Sequence, residues 1–188
     1  MIFKETILKG AFIIDVDKKM DDRGFFGRTF CRKEFAEHGL KDIIAQANVS
    51  FNHIVGTLRG FHFQYPPAAE CKLVYCTRGR ILDVIIDMRP ESETFLNHIA
   101  VELSGDNYRA LYVPERFAHG YLTLDDNTVT NYLVSEFYTP GTEGGLRFDD
   151  PQFGVEWPLD ITTVSDKDKN WKLYDEIKET LIRNMQFK

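Results

Sequence analysis

The stretch TLRGFHFQYPP, residues 57–67, sets the terms for the fold. From Val55 to Gln64 it reads as a β-strand, aromatic and stopped by a Tyr-Pro-Pro turn. Strand parity puts His62 and Gln64 on one face and Phe61 and Phe63 on the other. An imidazole, an amide and the Arg59 guanidinium in such a strand need partners, because buried polar groups cost free energy when unpaired. The polar side therefore faces water, a ligand or a polar network. Simple alternation leaves Arg59 opposite His62, but Gly60 between them marks a place where a bulge would break the parity.

Outward from this strand, runs rich in Ile, Val, Phe and Tyr recur between Gly, Pro, Asn and Asp. FIIDVD (12–17), GFFGRTF (24–30), IIAQANVS (43–50) and ECKLVYCT (70–77) read as strands. So do RILDVIIDM (80–88), HIAVELS (98–104), RALYVP (109–114) and TVTNYLVSEF (128–137). RGR, between Thr77 and Ile81, predicts a tight hairpin turn. KEFAEHG (33–39) predicts a short helix stopped by Gly39. The tail WKLYDEIKETLIRNM carries Leu173, Ile177, Leu181 and Met185 every fourth residue, an amphipathic helix. Many short strands with little helix between them mean an antiparallel all-β sandwich or barrel. With no repeat, linker or low-complexity segment, the expectation is one domain over residues 1–188.

Composition agrees with a β-rich core: 43% of the 188 residues are hydrophobic and 13% aromatic, with 15 Phe and 8 Tyr. A net charge of −6 argues against non-specific nucleic-acid binding, which needs a basic footprint, yet leaves room for a small phosphorylated ligand. Cys31, Cys71 and Cys76 are odd in number and lack CxxC spacing, which fits a reducing cytoplasm better than a disulfide framework or zinc site. No apolar run reaches the roughly 18 residues of a membrane span, and the N-terminus has no signal-peptide pattern.

Four polar clusters stand out: Arg59/His62/Gln64, Lys72 in the apolar CKLVY, His119 in FAHGY (117–121), and Tyr132 with Tyr138. Each has a plain alternative: a satisfied structural histidine, an exposed edge lysine, rim tyrosines, and helix-capping carboxylates at Asp166 and Asp168. His62, Gln64, Glu70 and His119 also hint at a divalent-metal set, although an amide is a poor transition-metal ligand. No GxGxxG, Walker loop or GxSxG is present.

Taken together the clusters resemble the dTDP-4-dehydrorhamnose 3,5-epimerase family, within the cupin jelly rolls. DDRGFF (21–26), QAN (46–48), GTLRGFHFQ (56–64), KLV (72–74), DVIIDMR (83–89) and SETF (92–95) carry the resemblance. FAHGY (117–121), FYTPGTEGG (137–145), DDPQFGVEWP (149–158) and SDKD (165–168) continue it in family order. The resemblance implies a cupin jelly roll and a reaction needing neither metal nor cofactor on a nucleotide-linked 4-keto-6-deoxy sugar. It implies His62 as base, Asp168 as the group orienting its imidazole, Tyr132 as acid on the far face and Lys72 at the enolate oxygen. Gln46, Asn48, Arg59, His119, Glu143 and Lys167 match substrate-contacting positions, and Tyr138 an aromatic stacking on the nucleotide base. It further implies a homodimer in which Arg23 and Phe26 complete the neighbouring chain's nucleotide site.

The sequence departs from the family pattern in three places. Arg28 stands where RGxFxE carries its glutamate, Ala47 replaces an acidic residue, and Arg116 replaces the glycine before FAHG. An epimerase of C3 alone or C5 alone uses the same base and acid. A metal-dependent cupin is opposed by Gln64, and a non-catalytic sugar-binding cupin by the presence of both base and acid.

Overall fold

The computed structural model describes residues 1–186. The chain opens with β1 (Ile2–Glu5) and β2 (Phe12–Asp15), then a small hairpin of β3 (Lys19–Asp21) and β4 (Gly24–Phe26). Helix α1 (Arg32–Glu37) leads to β5 (Gln46–Asn52), β6 (Thr57–Gln64), β7 (Lys72–Arg78) and β8 (Arg80–Asp87). β9 (His98–Ser104), β10 (Ala110–Val113), β11 (Phe117–Thr123) and β12 (Thr128–Val134) follow. β13 (Glu143–Gly145), β14 (Thr163–Val164), the single turn α2 (Asp166–Lys169) and α3 (Tyr174–Asn184) end the described chain.

Apart from the β3–β4 hairpin, the described strands form two sheets that do not close into a barrel. One runs β1-β2-β10-β7-β12-β5; the other runs β13-β6-β11-β8-β9, with β14 parallel to β6. Val74, Cys76, Leu111 and Val113 from the first sheet meet Ile81, Ile85, Leu103 and Phe117 from the second in the buried layer between them. Strands β7 and β8 are also apolar on their outer faces, because each sheet is covered from outside. Phe35 and Leu40, in and just after α1, pack on Leu73, Ala110 and Tyr112. Leu181 and Met185, fully buried, pack with Tyr174 on Phe61, Phe63, Val84 and Ile86. Ile177, Leu181 and Met185 of the tail's repeat form the stripe that covers the second sheet, while Leu173 is the N-cap of the helix and Tyr174 packs in its stead.

The expectation of a hairpin at RGR is corrected. β7 pairs with β10 and β12, whereas β8 pairs with β11 and β9. The turn is tight, but it hands the chain from one sheet to the other. Gly79 makes the corner with φ of +72°, where a Cβ would lie 2.5 Å from Thr128 Oγ1. Several expected strands are shorter: FIIDVD pairs only over Phe12–Asp15, RALYVP over Ala110–Val113 and TVTNYLVSEF over Thr128–Val134. GFFGRTF pairs only over Gly24–Phe26, after which the chain runs to α1 with Thr29 O accepting from the Tyr75 hydroxyl. IIAQANVS enters its ladder only at Gln46, leaving Ile43 exposed. Gly39 stops α1 as expected, with φ of +70°.

The bulge expected at Gly60 is present. His119 of β11 faces His62 and Tyr121 faces Arg59, so three steps along β6 match two along β11. The extra residue puts Arg59 and His62 on the same cavity. Gly60 has φ of +121°, and a Cβ there would lie 2.5 Å from Gly120 Cα and 2.7 Å from His119 O. These are backbone atoms that cannot swing aside.

Gly60→Ala should therefore destabilise the protein by at least about 3 kcal/mol, from the backbone conformation and the clash together. Gly141→Ala also sits at positive φ, +87°, but has no atom within 4 Å of its added Cβ. Its cost should be limited to about 1–2 kcal/mol. Urea denaturation of the two variants makes the comparison.

Candidate active site

Inward-facing side chains from the two sheets enclose a cavity of about 400 Å³. The first sheet contributes Gln46 and Asn48 from β5, Lys72 from β7 and Tyr132 from β12. The second contributes Arg59 and His62 from β6 and His119 from β11. Tyr138 and Glu143, on the segment after β12, also line the cavity. Nine residues singled out from sequence thus reach one space, although they span almost one hundred positions of chain.

Behind His62 lies Asp168, 3% exposed on α2, with Oδ1 2.6 Å from His62 Nε2. Ser165 caps that turn, its Oγ accepting from Asp168 N, so capping falls to the serine and the Asp168 carboxylate is left to the imidazole. Asp168 Oδ2 accepts from the Gly60 N–H at 3.2 Å, a donor exposed by the bulge. Burial alone would raise this carboxyl. His62, by hydrogen bond and charge, together with Gly60 and Ser165, outweighs it and holds Asp168 below the usual carboxylate value. An ionised carboxylate only accepts, so the proton of this contact sits on Nε2 and Nδ1 is left to receive another.

Tyr132 lies across the cavity, on the other sheet. Burial, then the neighbouring Tyr121 and Glu70, raise its phenol above the ordinary tyrosine range, with Arg59 acting the other way. It is a protonated donor throughout the physiological range. Arg59 donates through Nε to Asn52 Oδ1 at 2.7 Å. Asn52 in turn donates to the Tyr121 hydroxyl, which donates to Ser50 Oγ and accepts from Thr130. The guanidinium is thus held by a buried polar chain joining the two sheets.

Gln64 is buried and fully engaged. Its amide nitrogen contacts Ala68 O, Glu70 Oε2 and Phe137 O; its oxygen accepts from Thr139 N and the Thr142 hydroxyl. It fastens the segment carrying Tyr138, whose N–H also donates to Gln46 Oε1. Lys167 pairs with Glu143 at 2.5 Å at the rim and lies over Trp171. Lys72, only 12% exposed, faces the Glu70 carboxylate at 3.3 Å.

Arg23 and Phe26 are not brought to this cavity. They lie on the β3–β4 hairpin, with the Arg23 side chain 90% exposed and paired to Asp21. Arg28 donates to Glu34 Oε1 at 2.9 Å. Ala47 points outward from β5. Arg116 adopts φ of +62°, the left-handed conformation that a glycine takes freely, and its guanidinium binds Glu91 and Met185 O.

Sequence reasoning missed Asp83, fully buried, whose Oδ1 lies 2.6 Å from His119 Nε2. Its signal was available: in RILDVIID it occupies the inward position between Ile81 and Ile85, where a carboxylate must have a partner. His62 and His119 are direct cross-strand neighbours, each with Nε2 on its own aspartate. Among the described residues no group of three or more His, Cys, Asp or Glu is placed to hold a metal ion. No helix among them is long and apolar enough to cross a membrane.

An open jelly-roll sandwich with a carboxylate-backed imidazole on one wall and a phenol and a lysine on the other defines a cupin-type acid–base site. Residues 5–176 match the family described as dTDP-4-dehydrorhamnose 3,5-epimerase, and the chain belongs to that family. A dTDP-4-dehydrorhamnose 3,5-epimerase from Methanothermobacter thermautotrophicus is 42% identical over 90% of this chain and 92% of its own. The crystal structure of the enzyme of that name from Elizabethkingia anophelis superposes with a TM-score of 0.91 at 36% identity, covering 94% of this chain and 97% of its own. That of dTDP-6-deoxy-D-glucose-3,5-epimerase from Legionella pneumophila, in complex with dTDP-4-keto-L-rhamnose, gives 0.88 at 34% identity and 96% coverage of both. The resemblance read from the motifs is borne out.

The depressed Asp168 carboxyl has a consequence for stability. Its contribution is fully present above the unfolded value, about pH 4, and is lost as pH falls through the lower folded value. Asp168→Asn should unfold about 1–3 kcal/mol more easily than the wild type at neutral pH, with the gap narrowing below about pH 4. Thermal melts of both proteins from neutral pH down to about pH 2 measure this; a gap that does not change with pH would contradict it.

Proposed function

We propose that the protein inverts C3 and C5 of a dTDP-linked 4-keto-6-deoxy sugar through an enolate. The observation that carries this reading is the placement of His62 and Tyr132 on facing sheets of one cavity. The ketone at C4 acidifies the hydrogens on C3 and C5, because the carbanion delocalises onto oxygen. His62 Nδ1 takes the proton, and Asp168 holds the imidazolium that results. Lys72 meets the negative oxygen as charge develops, and Tyr132 returns a proton from the opposite face with inverted configuration. The Arg59 guanidinium and His119 hold the diphosphate and sugar; Gln46, Asn48, Glu143 and Lys167 line the approach, and Tyr138 stacks on the base. Each step moves one proton and one electron pair, so the balance closes without a metal or cofactor.

The ligand of the Legionella relative supports the choice of substrate. Arg23 and Phe26, exposed on a hairpin away from this chain's cavity, support a homodimer in which they reach the nucleotide held by the second copy. Arg28 already has Glu34 as partner, so it enters this account only as a cation beside that hairpin. Free cysteines at three positions fit a reducing cytoplasm.

The test is incubation with dTDP-4-keto-6-deoxyglucose in D₂O, following C3 and C5 by NMR. His62→Asn should lose exchange at both carbons by about 10²- to 10⁴-fold. Tyr132→Phe should still admit deuterium while failing to complete inversion; exchange and inversion lost in strict proportion would sink the two-wall division. The alkaline limb of kcat/KM should lie above about pH 10, since the Tyr132 phenol is raised.

Activity should also survive prolonged EDTA treatment. Loss on chelation with recovery on adding a divalent ion would restore the metal-dependent reading.

A further inference from the structure

Glu70 has no part in the mechanism just given, yet its carboxylate lies inside the same cavity and is only 13% exposed. It precedes β7 and shares the inward face of Lys72 two positions later. Both of its oxygens have partners: Oε1 is 3.3 Å from Lys72 Nζ, and Oε2 accepts from Gln64 Nε2 at 3.3 Å. Gln64 is itself fixed by Ala68 O, Phe137 O, Thr139 N and Thr142. A lysine side chain is long and loses considerable rotamer freedom when held in one place. At the mouth of a polar cavity its ammonium would otherwise sample several positions. Here one anion, itself held by Gln64, defines where it sits.

We propose that Glu70 is a positioning residue for the epimerisation, anchoring the Lys72 ammonium where the enolate oxygen forms. The inference rests on the proposed function for its chemistry, though the anchoring itself is a property of the free protein. Gln64 links this anchor to the segment bearing Tyr138, so the wall that receives charge and the segment that covers the nucleotide share one hinge of hydrogen bonds. The carboxylate is also one of the charges that raise the Tyr132 phenol, after burial and Tyr121.

Glu70→Ala should lower kcat roughly 10- to 100-fold with little change in KM, because a misplaced catalytic group costs transition-state rather than ground-state binding. Glu70→Gln keeps an oxygen that can accept from Lys72 and should restore most of that loss. A loss of kcat in Glu70→Gln as deep as in Glu70→Ala would overturn the proposal. The second arm needs no substrate. The ¹⁵Nζ signal of Lys72, assigned by its absence in Lys72→Arg, should be ordered in the wild type and in Glu70→Gln and averaged in Glu70→Ala. Unchanged Lys72 order, or wild-type kcat, in Glu70→Ala would also overturn it. A wild-type protein inert toward 4-keto nucleotide sugars would instead refute the proposed function, leaving the NMR arm to decide the anchor.

Discussion

The close approach of Gly60 to Gly120 is the constraint on which the site depends. Two backbones in adjacent strands come so near that neither position has room for a Cβ: one at Gly120 would lie 2.9 Å from Arg59 O. The approach inserts one extra residue into β6. That residue does three things together. It turns Arg59 to the side of His62, sets His62 directly across from His119, and frees the Gly60 N–H to donate to Asp168. A regular strand would send the guanidinium outward and leave one oxygen of the buried Asp168 without a donor.

Around that bulge the sandwich separates charges by wall. The second sheet holds two imidazoles, each with Nε2 on a buried aspartate, and the first holds an ammonium and a phenol. The core between the sheets is apolar at one end and polar at the other. The polar end is tolerable because nearly every group in it is partnered within the protein, through Asn52, Tyr121, Ser50 and Thr130 near Arg59 and through Gln64 near Glu70. Such networks make the wall rigid, and rigid donors need little reorganisation when charge appears on a ligand.

Several motif residues that look chemical are structural. Asp87 in DMR is fully buried and gathers Arg89, Ser92 and Thr94, pinning the turn that SETF enters. Asp150 in DDPQF accepts from Tyr174 N at 2.6 Å and so starts α3, the helix that covers the second sheet. Gln64, on the face of His62, fastens a loop. In each case a charged or amide group satisfies backbone donors that an irregular segment would otherwise bury unpaired.

The sequence by itself determined the all-β character, most strands, both helices that cover the sheets, and the chemical cast of the site. Period-2 and period-4 patterns record which side of an element is buried, and that information is local. Gly60 could even be read as a bulge, because a glycine inside a strand, between two polar residues of opposite parity, is where an extra residue is easily inserted. What sequence could not carry was partnership. The turn at Gly79 has the same residues whether its flanking strands pair or part, and only the sheet order shows that they part. Asp83 and Asp168 lie 36 and 106 positions from the histidines they support. The resemblance names Asp168 for His62, but that Asp83 meets His119, and that Gln64 holds Glu70 and the segment of Tyr138, follow from tertiary packing. Burial fixes the face a residue turns to; the paths of distant strands fix what it meets there.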